Sequence, residues 1–142
     1  MAAVMMLWSF LILLLTVTST YQQTPSCAYG ARGSLTSTCT YAIPSYFRTT
    51  SYRFDNLDET VRCVNCILTT IESNTFDISG NQIKTLDLNS SKIVTLKPKA
   101  FIGLASLKKL LLKDNQIKSF YLVSGTLKSV AVDCRQDAIY AS

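Results

Sequence analysis

Between Leu86 and Ile117 the apolar positions follow a series of offsets that then starts again. Leu86, Leu88, Ser91, Ile93, Leu96 and Phe101 come first, and Leu110, Leu112, Asn115, Ile117 and Phe120 reopen the series. The frame extends upstream to Val61, Cys63, Cys66, Leu68, Ile71 and Phe76. Downstream it takes in Leu127, Val130 and Val132, with Ile83 and Leu107 holding the place of Leu127 in earlier units. The opening residues Val61, Leu86, Leu110 and Val130 lie 25, 24 and 20 positions apart. Leu86-Asp87-Leu88 followed by Ile93 and Leu96 does not have a period of 3.6, so a pair of amphipathic helices does not explain it. Recurrence at this spacing predicts a solenoid of stacked coils.

In such a coil Leu86 and Leu88 point inward from a short parallel strand and the chain turns at Asn89-Ser90-Ser91. Ile93, Leu96 and Phe101 then refill the interior from the far side. One coil cannot bury these residues alone, so neighbours must stack. The inward position at the turn reads Cys66, Ser91, Asn115. A small polar group there can hydrogen-bond the backbone of adjacent coils and satisfy polar atoms that are costly to bury. Asn115 suits this role best.

The segment Leu86 to Ile117, with Ala100-Phe101-Ile102-Gly103-Leu104 between its strands, resembles the extracellular leucine-rich repeat of animal receptors and secreted immune proteins, including those of arthropods. The run Phe101-x-Gly103-Leu104-x-x-Leu107 is the specific part. Val61-x-Cys63 with Leu68 and Ile71 is similar to the close of that family's N-terminal cysteine cap. The resemblance covers roughly residues 57 to 133. It implies an α/β-type solenoid with a parallel sheet on a concave face, a disulfide-bonded β cap ahead of it, and recognition through the concave face. The domain plan expected is a signal peptide over 1–20, a cap over 21–60, and about three repeats with a partial fourth over 61–142.

Solvent-facing strand positions should then align in columns. One reads Arg62, Asp87, Leu111, Ala131; a second Val64, Asn89, Lys113, Asp133; a third Thr60, Thr85, Lys109, Ser129. Leu111 is the large apolar residue near the middle, flanked by Lys109 and Lys113. It is the expected contact centre. The candidate partner-binding residues are Arg62, Val64, Asp87, Asn89, Lys109, Leu111, Lys113 and Asp133. Asn89-Ser90-Ser91 is also an N-glycosylation sequon, placed at a coil bend.

Met1 to Leu15 is almost wholly apolar before Thr16 to Thr20 turns polar. Its length suits a signal-peptide core and falls short of a comfortable bilayer span. Secretion, with no stable membrane span, is therefore expected; an uncleaved segment anchoring an adhesion or receptor fragment is the alternative. Between the leader and the repeats, Thr40-Tyr41-Ala42-Ile43 and Tyr46-Phe47-Arg48 through Tyr52-Arg53-Phe54 bring β-favouring residues, with Pro44-Ser45 between them. A hairpin or two short strands covering the first coil is expected there.

The five cysteines divide unevenly. An extended strand would hold Cys63 and Cys66 on the order of 10 Å apart, too far for a disulfide. Bonds from Cys27 and Cys39 to Cys63 and Cys66 would instead staple cap to repeat, in either of two crossed pairings. A metal site at Cys63 and Cys66 lacks a second pair or a histidine. Cys134 is left over, and a leftover cysteine in a secreted protein suggests intermolecular pairing, here a disulfide-linked dimer, or a reactive thiol. The last coil loses the pattern at Arg135 and Asp137. Either another chain covers that edge, or the sequence is a short isoform or truncated product.

The net charge of +5 is carried largely by nine lysines between Lys84 and Lys128. A basic balance permits acidic partners, glycans or membrane surfaces; no nucleic-acid binding is predicted. A cationic surface-active peptide is a further reading of the lysines. The chain has no histidine, which removes Ser/His and Cys/His nucleophile pairs and the usual zinc ligands. No acid/base carboxylate pair or Gly-rich phosphate loop stands out. The sequence reads as a non-enzymatic module without a cofactor or metal, binding a protein or a surface glycan.

Overall fold

A computed structural model describes residues 23–30, 34–48, 58–78, 80–120 and 131–133. The larger sheet runs β1 (Ser26–Tyr29), β2 (Thr36–Thr40), β3 (Thr60–Val64), β5 (Thr85–Asp87), β7 (Lys109–Leu111) and β9 (Ala131–Asp133). Only the β1–β2 pairing is antiparallel; the rest of this sheet is parallel. A smaller parallel sheet holds β4 (Thr70–Ile71), β6 (Thr95–Leu96) and β8 (Ser119–Phe120). One short helix, α1 (Pro44–Arg48), completes the described elements.

Alternation along the strands sets the interior. Val61 and Cys63 are buried while Arg62 and Val64 face out, and Leu86, Leu88, Leu110 and Leu112 repeat the inward positions. Leu68, Ile71, Phe76, Ile93, Leu96 and Phe101 fill the core from the other side of each coil, as the offsets predict. Burying each such side chain contributes roughly 1.5–3 kcal/mol, which no single coil could collect without its neighbours. Phe101 stacks on Phe76 with ring centroids 5.8 Å apart, and Phe76 meets Phe47 of α1 at 5.0 Å. An aromatic column therefore ties three successive segments together.

Two backbone devices recur from coil to coil among the described residues. The carbonyl just before a strand accepts two N–H groups from the next coil: Leu35 O from Glu59 and Thr60, Glu59 O from Lys84 and Thr85, Lys84 O from Lys108 and Lys109. Four residues after the opening positions Val61, Leu86 and Leu110 the backbone turns left-handed, at Asn65 (φ 54°), Ser90 (53°) and Asp114 (55°). Tyr41 (54°) stands at the same offset from Ser37, and Ser37 is the register partner of Val61. Coil geometry is thus already present 24 residues ahead of Val61. Ser37 is fully buried where later coils carry Val or Leu, and its hydroxyl donates to the buried Asp58 carboxylate.

Four expectations change. The disulfide joins Cys27 to Cys39, whereas Cys63 and Cys66 are free and buried; the crossed staples are absent because Cys27 and Cys39 face each other directly across the β1–β2 hairpin. That hairpin pairs β1 with β2, ahead of Pro44-Ser45 and not around it. Tyr46-Phe47-Arg48 is helical, since Pro44 opens a turn of helix with its ring preset for that φ and Phe47 gains a buried seat. Finally, Leu110 pairs with Val132, and Leu111 with Asp133. The last strand is slipped by two residues from the expected columns, a shift that keeps the same face because side chains alternate with period two.

Residues 1–20, Tyr52-Arg53-Phe54, Leu127, Ser129, Val130, Cys134, Arg135 and Asp137 lie outside the described residues. Among the described residues no helix is long and apolar enough to cross a membrane.

Candidate binding surface

The outward face of the larger sheet gathers most of the anticipated residues. Its central row is Thr38, Arg62, Asp87 and Leu111, with Asp133 the register partner of Leu111 on the next strand. A second row is Thr36, Thr60, Thr85 and Lys109, with Ala131 the register partner of Lys109. Thr40 and Val64 start a third, with Asn89 and Lys113 just past the ends of β5 and β7. Parallel pairing repeated in register makes these rows; neighbouring positions stand about 4.8 Å apart.

Within the face the charges are partly spent on one another. Arg62 Nε donates to Asp87 Oδ2 at 3.2 Å, with the Arg62 side chain 58% exposed and that of Asp87 14% exposed. Asp87 also accepts the Asn89 N–H at 3.2 Å. Asn89 Oδ1 in turn accepts the Lys113 N–H at 2.8 Å, which pins its side chain across the coil boundary. At the margin Lys84 pairs with Glu59. Lys109 stays exposed and Leu111 half-buried, so the end of the face around β7 offers an apolar side chain beside cationic ones. The β2 end offers hydroxyls.

Beneath the face the turn column does what its composition predicts. Asn115 is buried, and its Oδ1 accepts the N–H groups of Ser91 (3.0 Å) and Ile93 (2.9 Å). Its Nδ2 donates to the carbonyls of Leu88 and Leu112, each at 2.9 Å. Ser91 is buried too, its Oγ donating to Asn89 O at 3.3 Å.

Thr36, Thr38 and Thr40 were not foreseen as part of this face. The signal was present in Ser37-x-Cys39-x-x-Ala42, which occupies the frame of Val61-x-Cys63-x-x-Cys66 but without large apolar residues. Among the described residues no group of three or more histidine, cysteine, aspartate or glutamate side chains is placed to hold a metal ion.

Residues 61–124 match the family model described as leucine rich repeat. Over this segment the chain is similar to leucine-rich repeats. The parallel sheet, the recurring left-handed bends and the Asn115 contacts are the physical content of that match. Leucine-rich repeats commonly mediate protein–protein binding and are typically non-enzymatic. No curated protein matches the chain in sequence.

Proposed function

We propose that the protein is a secreted, non-enzymatic binding module whose leucine-rich repeats contact a protein partner through the outward, concave face of the larger sheet. The observation that carries this reading is the juxtaposition of half-buried Leu111 with Lys109 and Lys113 on a face where Arg62 and Asp87 neutralise each other. An apolar anchor flanked by two lysines, with an aspartate in its row, fits a partner that presents an apolar side chain among charges of both signs. Asp133 enters the same row directly beside Leu111, and Val64 and Asn89 complete the border. A surface glycan is the other partner class for this face. The apolar leader and the resemblance to secreted immune repeat proteins support innate-immune recognition or complex formation outside the cell.

The test is affinity capture from the medium of cells secreting the tagged chain. A partner that is retained by wild type and by the far-side variant Lys97→Glu, but lost with Leu111→Asp and Lys113→Glu together, supports the reading. Equal capture by all three removes this face as the contact. N-terminal sequencing of the secreted chain, with a start near Thr20 or Tyr21, separates release from anchoring by an uncleaved leader. Migration of Cys134→Ser against wild type without reductant reports the proposed disulfide-linked dimer. A glycan on Asn89 would attach at Nδ2, leaving the Oδ1 contact to Lys113 in place. Since Ser91 is buried in the folded coil, the sugar must be added before folding.

A further inference from the structure

Four sulfurs gather where the first strands of the larger sheet adjoin. Cys27, Cys39 and Cys63 occupy one lateral row of β1, β2 and β3, each the register partner of the next, and Cys27–Cys39 is a disulfide. Cys66 reaches the same spot because Asn65 turns left-handed, folding the chain back so that the Cys63 and Cys66 thiols hydrogen-bond each other. Cys66 Sγ also lies 3.7 Å from the carbonyl of Cys39, to which it donates. Cys27 and Cys39 are bonded at a Cα separation of 4.0 Å, and adjacent strands hold paired Cα atoms about 4.8 Å apart. The row therefore sets Cys39 between Cys27 on one side and the Cys63/Cys66 pair on the other, with Cys66 Sγ against the Cys39 carbonyl.

We infer that these residues form an intramolecular thiol–disulfide exchange site, in which the Cys63/Cys66 dithiol takes over the disulfide of Cys27 and Cys39. The Cys66 thiolate attacks Cys39 Sγ, a Cys39–Cys66 bond forms, and Cys27 leaves as a thiolate that takes up a proton. Cys63 then attacks Cys66, giving the Cys63–Cys66 disulfide and releasing Cys39, which receives the proton Cys63 gives up. Two electrons pass from the inner pair to the outer pair, and no external oxidant is consumed. The roles follow first from place, Cys66 Sγ being the free sulfur that lies against the Cys39 carbonyl, and then from the contact between the two thiols. That hydrogen bond holds Cys66 below the usual thiol range against the opposing effect of burial, while the same contact and burial push Cys63 up. Cys66 is thus the sulfur that ionises first, and the thiolate is the nucleophile.

The exchange changes which sulfurs meet the surroundings. Cys63 and Cys66 are buried, whereas Cys27 is only partly so. With the disulfide moved inward, Cys27 becomes a thiol at the margin of the fold, open to an external disulfide such as glutathione disulfide. This proposal is independent of what the sheet face binds.

Trypsin separates the participants: Cys27 falls in the peptide ending at Arg32, Cys39 in 33–48, and both Cys63 and Cys66 in 63–84. The folded full chain carrying Cys134→Ser is prepared with one disulfide, freed of small thiols and disulfides, incubated, acid-quenched, alkylated and digested. The expected result is a mixture in which some 63–84 peptide is unalkylated and lighter by two hydrogens than its dithiol form, in a proportion independent of protein concentration. Adding Cys63→Ser should make the covalently joined 33–48 and 63–84 peptides a main species, and adding Cys66→Ser should abolish that joined species. If the Cys134→Ser chain shows only the Cys27–Cys39 linkage from neutral pH to pH 9, exchange does not occur and the inference fails, whether or not the further variants fold. Trapping by Cys66→Ser in place of Cys63→Ser would overturn the assigned roles.

Discussion

Asn115 holds Ser91 from one coil away: its Oδ1 accepts the Ser91 N–H at 3.0 Å, and through the same side chain it also meets Ile93, Leu88 and Leu112. Every polar atom of this amide is engaged in the interior, where a donor or acceptor left alone costs roughly 1–3 kcal/mol. Asn115→Ala should therefore lower the unfolding free energy by about 3 kcal/mol. Chemical denaturation measures this, and a loss below about 1 kcal/mol would mean that water replaces the amide.

Gly103 and Gly80 make a matched pair. Both are left-handed, with φ of +94° and +76°, but a Cβ on Gly103 would meet Asp77 Cα at 2.7 Å while one on Gly80 meets nothing within 4 Å. Alanine at Gly80 should cost about 1–2 kcal/mol from backbone conformation alone. At Gly103 the cost should be clearly larger, because Asp77 Cα and Phe76 O are backbone atoms and cannot swing away. Thermal melts of the two variants check the order, and equal shifts would refute it.

Phe76 sits between Phe47 and Phe101 in the aromatic column. Phe76→Ala should cost roughly 3–5 kcal/mol, whereas Phe76→Leu should cost less. Because α1 reaches the core through Phe47, amide exchange in Pro44–Arg48 should rise in Phe76→Ala more than in Lys97→Glu. Unchanged protection there would show that α1 is held independently of the column.

Arg62 and Asp87 lie at the centre of the sheet face, yet Arg62 is more than half exposed. Solvent screens such a pair, so Arg62→Ala should change stability by no more than about 1 kcal/mol. Its effect on partner capture, measured with the same protein, then reports recognition and not unfolding.

Much of the solenoid was legible because Leu86, Leu88, Leu110 and Leu112 are large, apolar and regularly spaced, and the interior has to be filled that way. The coil built on Ser37, Cys39 and Ala42 was hidden because none of these is large, and burial of Ser37 depends on Asp58, 21 residues away. The cysteine pairing was obscured by assuming an extended strand through Asn65, which instead bends back. Val130 and Val132 both satisfy an alternating frame, so hydrophobicity alone could not choose between registers two residues apart. As for the face, its residues could be assigned to columns, but the engagement of Arg62 by Asp87 depends on side-chain geometry that composition does not record.

The bends at Tyr41, Asn65, Ser90 and Asp114 also bear on how this protein can change its length. Each returns the backbone to the same phase, so material can be gained or lost without disturbing the flanks only in whole turns of the spiral. Excising 86–109 would bring Thr85 to Leu110 with the winding intact, whereas removal of half as many residues would leave the interior leucines facing water. Size in this architecture is counted in units of about two dozen residues.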